Sequence, residues 1–183
     1  MIGLFVLLLA LEDPSLPTPD IGLPIEGLKA ESLKDSFGSR RPGHKHEAID
    51  IMSPRGTPIR AVVAGTIRKM IRSKAGGITI YQFDEAGQHC FFYAHLSRYA
   101  SDLREGMRVE RGHVIGYVGA TGNATTPHLH FTFFEVGPEK KWWTGRTINP
   151  YPALVDAARV AEIPVLTDVE PVMPVVDSRI FMR

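Results

Sequence analysis

The chain has 183 residues, 21 Lys and Arg against 20 Asp and Glu, and a formal net charge of +1. That length suits one well-buried domain with tails. The even charge balance and the lack of a basic stripe or recognition motif argue against a nucleic-acid partner, and the single cysteine, Cys90, excludes an internal disulfide.

The first stretch, IGLFVLLLAL (2–11), is wholly apolar. It is too short for a bilayer span, which takes about 20 residues, but has the length of a signal-peptide core. It is therefore expected to be an export signal or membrane anchor, placing the protein in the cell envelope or outside the cell. LEDPSLPTPD (11–20) is acidic and proline-rich and reads as linker, giving expected divisions at 1–11, 12–23, 24–154 and 155–183.

From Pro24 to about Glu135 the pattern is mainly β. TPIRAVVAGTIRKMI (57–71), GITIYQF (77–83), QHCFFYAH (88–95) and VIGYVG (114–119) are rich in β-branched and aromatic residues, with turn residues between them. DEAG (84–87) is a hairpin-type turn. YPALVDAARVAE (151–162) is the one helical pattern, and IPVLTDVEPVMPVV (163–176) beyond it has no clear period. No internal repeat is present.

The seven histidines divide into two groups. In TTPHLHF (125–131) strand alternation puts His128 and His130 on one face with Thr132, and Leu129, Phe131 and Phe133 on the other. In HKHEAIDIMSP (44–54), His46 and Asp50 are four apart, which places them on one face of a helix or a strand. The isoleucines flanking Asp50 favour a strand with a purposeful polar residue. His95 ends QHCFFYAH, where alternation assigns it the face of Phe91 and Tyr93. His44, His89 and His113 lack polar company on an identifiable face and are read as surface or hydrogen-bonded residues.

HEAID (46–50), YAHLS (93–97) and TTPHLHF resemble, in this order, the three signatures of the lysostaphin-type, or LytM-like, zinc metallopeptidases. SFGSRR (36–41), SPRGTPIRAVVAGTI (53–67), EGMRVERGHVIGYVGATGN (105–123) and TINPYPAL (147–154) are similar to the family's supporting segments. The resemblance implies an antiparallel β-sheet domain with few short helices. It implies Zn²⁺ held by His46, Asp50 and His130, with His95 and His128 as catalytic imidazoles. It further implies a zinc-dependent endopeptidase that cuts peptide cross-links of bacterial peptidoglycan through a metal-activated water assisted by those two histidines. Ala48 and Thr126 stand where the family commonly has glycine, and neither change removes a ligand.

The chemistry agrees with that division. A catalytic zinc takes three protein ligands and keeps one position open. A base, an oxyanion donor and a proton source for the departing amine are still needed. HEAID contains a His-Glu pair, but Asp50 replaces the second histidine of an HExxH site, and Glu47 is expected to face away. Trp142, Trp143 and Tyr151 are expected to pack under the C-terminal segment in preference to lining a groove. Two other readings share parts of the pattern: an inactive LytM-like module that activates another wall hydrolase, and a two-His-one-carboxylate iron oxygenase. Retention of all five residues argues against the first, and the spacers and two extra histidines against the second.

Overall fold

The computed structural model describes residues 17–163. The apolar run 2–11 and the segment 164–183 lie outside the described residues. No helix among the described residues is long and apolar enough to cross a membrane.

The fold is mainly antiparallel β. A short 3₁₀ turn, Ala30–Ser32, precedes a small hairpin of β1 (Arg40–Arg41) and β2 (His44–Lys45). The remaining strands are β3 (Ile49–Met52), β4 (Pro58–Arg60), β5 (Gly65–Ser73), β6 (Gly77–Asp84), β7 (His89–Tyr99), β8 (Arg108–Val109), β9 (Val114–Val118), β10 (His128–Val136) and β11 (Gly145–Ile148). They form one nine-stranded sheet whose main path runs β11-β10-β7-β6-β5-β8. β3 pairs with β10, and β9 pairs with both β4 and β7. The expected strand 57–71 is divided into β4 and β5, with Ala61 to Ala64 between them.

The long strands stand where alternation can bury one face. Ile49 and Ile51 on β3, Phe91 and Tyr93 on β7, and Leu129, Phe131 and Phe133 on β10 all enter one core with Ile59, Ile67 and Ile80. Each is nearly or wholly inaccessible, so truncating one of the phenylalanines to alanine is expected to cost about 3–5 kcal/mol. The core also holds Ile21, from the stretch expected to be linker, and its neighbour Gly22 donates to the Val62 carbonyl at 2.7 Å.

The helix α1, Tyr151–Glu162, has the bounds expected from its pattern. Asn149 Oδ1 accepts from the Tyr151 amide at 2.9 Å and satisfies one open donor at the helix start, while Leu154 and Ala158, one turn apart, are its buried residues. Trp142 does not pack under this C-terminal segment. It meets the Tyr81 ring at 4.6 Å, beside a second cluster of Phe83, Cys90, Phe134 and Val136. Trp143 is exposed, and Tyr151 rests on the main core.

One departure from alternation decides the site. His95 has φ +63, and the β6–β7 register shifts between Ile78 and Ile80. An extra residue in a strand turns the following side chains over. Leu96, three residues after Tyr93, therefore returns to the core. His95 does not share the face of Phe91 and Tyr93, as alternation had suggested. It faces His128 and His130 on the opposite side.

Candidate metal centre

Register brings Asp50 and His130 together. His130 on β10 lies opposite Asp50 on β3 and opposite Ala94 on β7. Directly opposed residues of antiparallel strands share a face, so the β10 imidazole stands between a carboxylate and the bulge that carries His95. His46 arrives from the loop between β2 and β3; it is not a strand residue. Its amide donates to the Ser39 carbonyl at 2.9 Å and its own carbonyl accepts from Gly38 at 2.6 Å, which extends the hairpin ladder to the site.

The three side chains converge closely. His130 Nδ1 is 3.0 Å from Asp50 Oδ1 and 3.2 Å from His46 Nε2, and His46 Nε2 is 3.1 Å from Asp50 Oδ1. Tetrahedral ligands at zinc-like bond lengths of 2.0–2.1 Å stand about 3.3 Å apart, so the donor triangle has the size such an ion needs. Among the described residues this is the one group of His, Cys, Asp or Glu side chains able to hold a metal. The donor chemistry fits zinc.

Backbone carbonyls set the imidazole tautomers. A carbonyl can only accept, so His46 Nδ1–H donates to Ser36 O at 3.0 Å, which leaves Nε2 as a lone pair toward the triangle. His95 Nδ1–H donates to Thr121 O at 2.8 Å and His128 Nδ1–H to Thr126 O at 2.8 Å. His128 Nε2 then lies 3.7 Å from Asp50 Oδ1. The His95 ring centre is 4.8 Å from that of His128 and 5.5 Å from that of His130.

Burial lowers the pKa of both His46 and His95 from the ordinary histidine value, against the opposing pull of their carbonyl partners and Asp50. Burial alone would raise that of Asp50. The His130 hydrogen bond, together with the charges of His130, His46 and His128, outweighs it and holds the carboxyl far below the usual range. Burial thus favours a neutral His46 imidazole while the Asp50 carboxyl stays ionised, the protonation states a metal requires of these two side chains.

Several supporting residues carry no direct mark in the sequence. Ser36 Oγ accepts from the Asp50 amide at 3.1 Å and donates to Ala48 O at 3.3 Å, clamping the whole His46–Asp50 loop. Thr121 Oγ1 accepts from the Ile78 amide at 2.9 Å and donates to Leu96 O at 2.7 Å. Gly119 bridges to His128, and a Cβ there would stand 2.3 Å from the Ser97 amide nitrogen. Only glycine permits that approach. Arg41 Nη2 donates to Asp50 Oδ2 at 2.7 Å. Ser36, Arg41, Gly119 and Thr121 fall inside the segments SFGSRR and EGMRVERGHVIGYVGATGN, so their neighbourhood was legible though their contacts were not.

The five residues line a cleft of about 280 Å³ whose rim adds Arg41, Pro42 and His44 on one side and Asn123, Ala124 and Thr125 on another. His44, read from sequence as an ordinary surface histidine, is exposed but sits at this rim. His89 and His113 lie elsewhere, the first buried against Asp84 at 2.9 Å and the second 3.5 Å from Asp102. Glu47 is exposed and does not line the cleft.

A twisted antiparallel sheet that carries a His-Asp-His triangle and two further imidazoles in an open cleft is the architecture of a metallopeptidase domain. Residues 44–150, more than half of the chain, match the model of Peptidase family M23, and the chain belongs to that family. It is 38% identical over 90 residues to the glycyl-glycine endopeptidase ALE-1 of Staphylococcus capitis, covering 49% of this chain and 24% of that protein. It is 31% identical over 125 residues to an L-Ala–D-Glu endopeptidase of Bacillus subtilis, covering 64% and 36%. The match therefore spans roughly a quarter to a third of these relatives. Among solved structures, the catalytic domain of lysostaphin from Staphylococcus simulans superposes with a TM-score of 0.57 at 29% identity, over 68% of this chain and 94% of that one.

Proposed function

We propose that the protein is a zinc-dependent endopeptidase that hydrolyses peptide cross-links of bacterial peptidoglycan, with residues 24–154 as its catalytic unit. The observation that carries this reading is the convergence of His46 Nε2, Asp50 Oδ1 and His130 Nδ1 within 3.0–3.2 Å of one another in an open cleft. Membership of a peptidase family and likeness to a glycyl-glycine endopeptidase and an L-Ala–D-Glu endopeptidase support it.

In this reading His46, Asp50 and His130 hold the metal, and His95 and His128 assist. Bound there, zinc would polarise the scissile carbonyl and lower the pKa of a water toward neutrality. His95 and His128 each commit Nδ1–H to a carbonyl, so Nε2 is the atom through which either takes or returns a proton. Their rings are close enough to serve the same substrate bond, one drawing the proton from the water and the other supplying the departing amine or the oxyanion. Peptidoglycan lies outside the cytoplasmic membrane, so the enzyme acts in the envelope or beyond it, with the apolar run 2–11 as its export signal or anchor.

Digestion of purified peptidoglycan with and without a chelator tests the proposal, with the released fragments identified by mass. New peptide termini that disappear with chelator and return with added zinc are the expected result. An undigested polymer in the presence of zinc would overturn it.

A further inference from the structure

The β1–β2 hairpin is a basic element placed at the mouth of the cleft. Its sequence RRPGHK puts Arg40, Arg41, His44 and Lys45 around a two-residue turn, all exposed. Gly43 has φ +82, and Pro followed by a positive-φ glycine is what a type II turn demands. The turn closes the Arg41–His44 pair, and both residues line the cleft.

Arg41 is held from one side only. Its Nη2 donates to Asp50 Oδ2, while its side chain stays 42% exposed. A guanidinium has five donors in a rigid fork, so one bond to Asp50 orients the group and leaves donors over for a second acceptor. Among the described residues Asp50 is the only acidic one lining the cleft, and its charge is already shared by three imidazoles and Arg41. With a divalent ion in the triangle the cleft would be net positive.

We propose that Arg41, supported by the field of its hairpin, is a carboxylate-binding subsite beside the metal centre. It selects substrates that carry a free carboxylate next to the scissile bond, as a cross-link through a diamino acid does, over neutral oligoglycine bridges. This inference rests on the endopeptidase reading above. The guanidinium bridges two carboxylates, Asp50 on the protein and one on the substrate. A charge-assisted hydrogen bond of this kind corresponds to about 10–100-fold in binding.

The test uses the full chain with zinc and three synthetic glycan-free peptides: one with a free carboxylate beside the cut bond, its carboxamide twin, and an oligoglycine bridge. The parent is expected to show kcat/KM about 10-fold or more higher for the free acid than for the other two, chiefly through KM. Arg41→Gln should bring the acid-to-amide ratio close to one, whatever common loss both peptides suffer through its bond to Asp50, and Lys45→Gln should lower the ratio by a smaller, salt-sensitive factor. Metal content of each variant is measured alongside. Equal parent kcat/KM on acid and amide overturns the subsite alone. So does an Arg41→Gln loss that is the same for both, since Arg41 would then act only on Asp50. Cleavage of none of the peptides, nor of peptidoglycan, overturns the endopeptidase reading with it.

Discussion

Thr121 holds His95 through its backbone and the surrounding strands through its side chain. The carbonyl accepts from His95 Nδ1 at 2.8 Å, and Oγ1 joins the Ile78 amide to the Leu96 carbonyl. His95 is thus locked in a left-handed backbone conformation, which costs a non-glycine residue about 1–2 kcal/mol, by a residue 26 positions away. Thr121→Val keeps the shape but strands a buried amide and a carbonyl. It is expected to lower stability by about 1–3 kcal/mol in denaturant unfolding and to reduce peptide cleavage while zinc content stays unchanged.

The metal triangle makes a separate prediction. His130→Ala and His46→Ala should fold yet retain little of the single zinc bound by the parent. Removing zinc from the parent should lower its Tm by roughly 5–10 °C when the ion had been present at about 100 times its Kd. Metal analysis and thermal unfolding check both. Full zinc retention in a folded His130→Ala protein contradicts the ligand assignment.

Ligation and chemistry should come apart at the other two histidines. Asparagine tolerates the left-handed backbone at position 95 better than alanine, so His95→Asn is the informative variant there, with His128→Ala as its companion. Each is expected to keep zinc and lose about 10²–10⁴-fold in kcat on a cross-linked peptide. Parent-like turnover in either would remove that residue from the reaction.

Acid should weaken the metal-free fold in a definable window. His46 and His95 have their pKa lowered by burial from the ordinary value of 6.5, so between that value and their lowered ones the unfolded chain binds protons that the folded chain does not. Stability then rises with pH across this window and falls as acid is added. Thermal unfolding of chelated protein between about pH 7.5 and pH 5 is expected to show the decline, with a shallower slope in His95→Asn. An identical slope in the variant would assign the effect to other groups.

Cys90 should be silent until the protein unfolds. It is fully buried, and burial, with the nearby Asp84 charge, pushes its thiol well above the usual range. The thiolate is the reactive form. Alkylation at about pH 8, followed by mass, is therefore expected to leave the native protein unmodified and to label the unfolded chain once. Rapid labelling of folded protein would contradict this burial.

Local patterning by itself determined the strand-rich class, the helix Tyr151–Glu162 and the two faces of β10. Each depends on a short-range period: 3.6 residues for the helix, and two for the strand that sets His128 and His130 against Leu129, Phe131 and Phe133. The spacing of His46 and Asp50 also marked a polar pair, although only Asp50 proved to be on a strand. The tertiary structure decided the rest. A bulge turned His95 away from the face that alternation gave it, because a one-residue insertion answers to the register of neighbouring strands and leaves no period in the chain. The Ser36, Thr121 and Thr126 carbonyls that fix the imidazole tautomers belong to the backbone, which is the same at every residue type and so is invisible in a string of side chains. His44 was read as an ordinary surface histidine, and Arg41 was marked only by its place in SFGSRR, until the Pro42–Gly43 turn carried both to the rim of the cleft, since where a hairpin points is set by what it packs against.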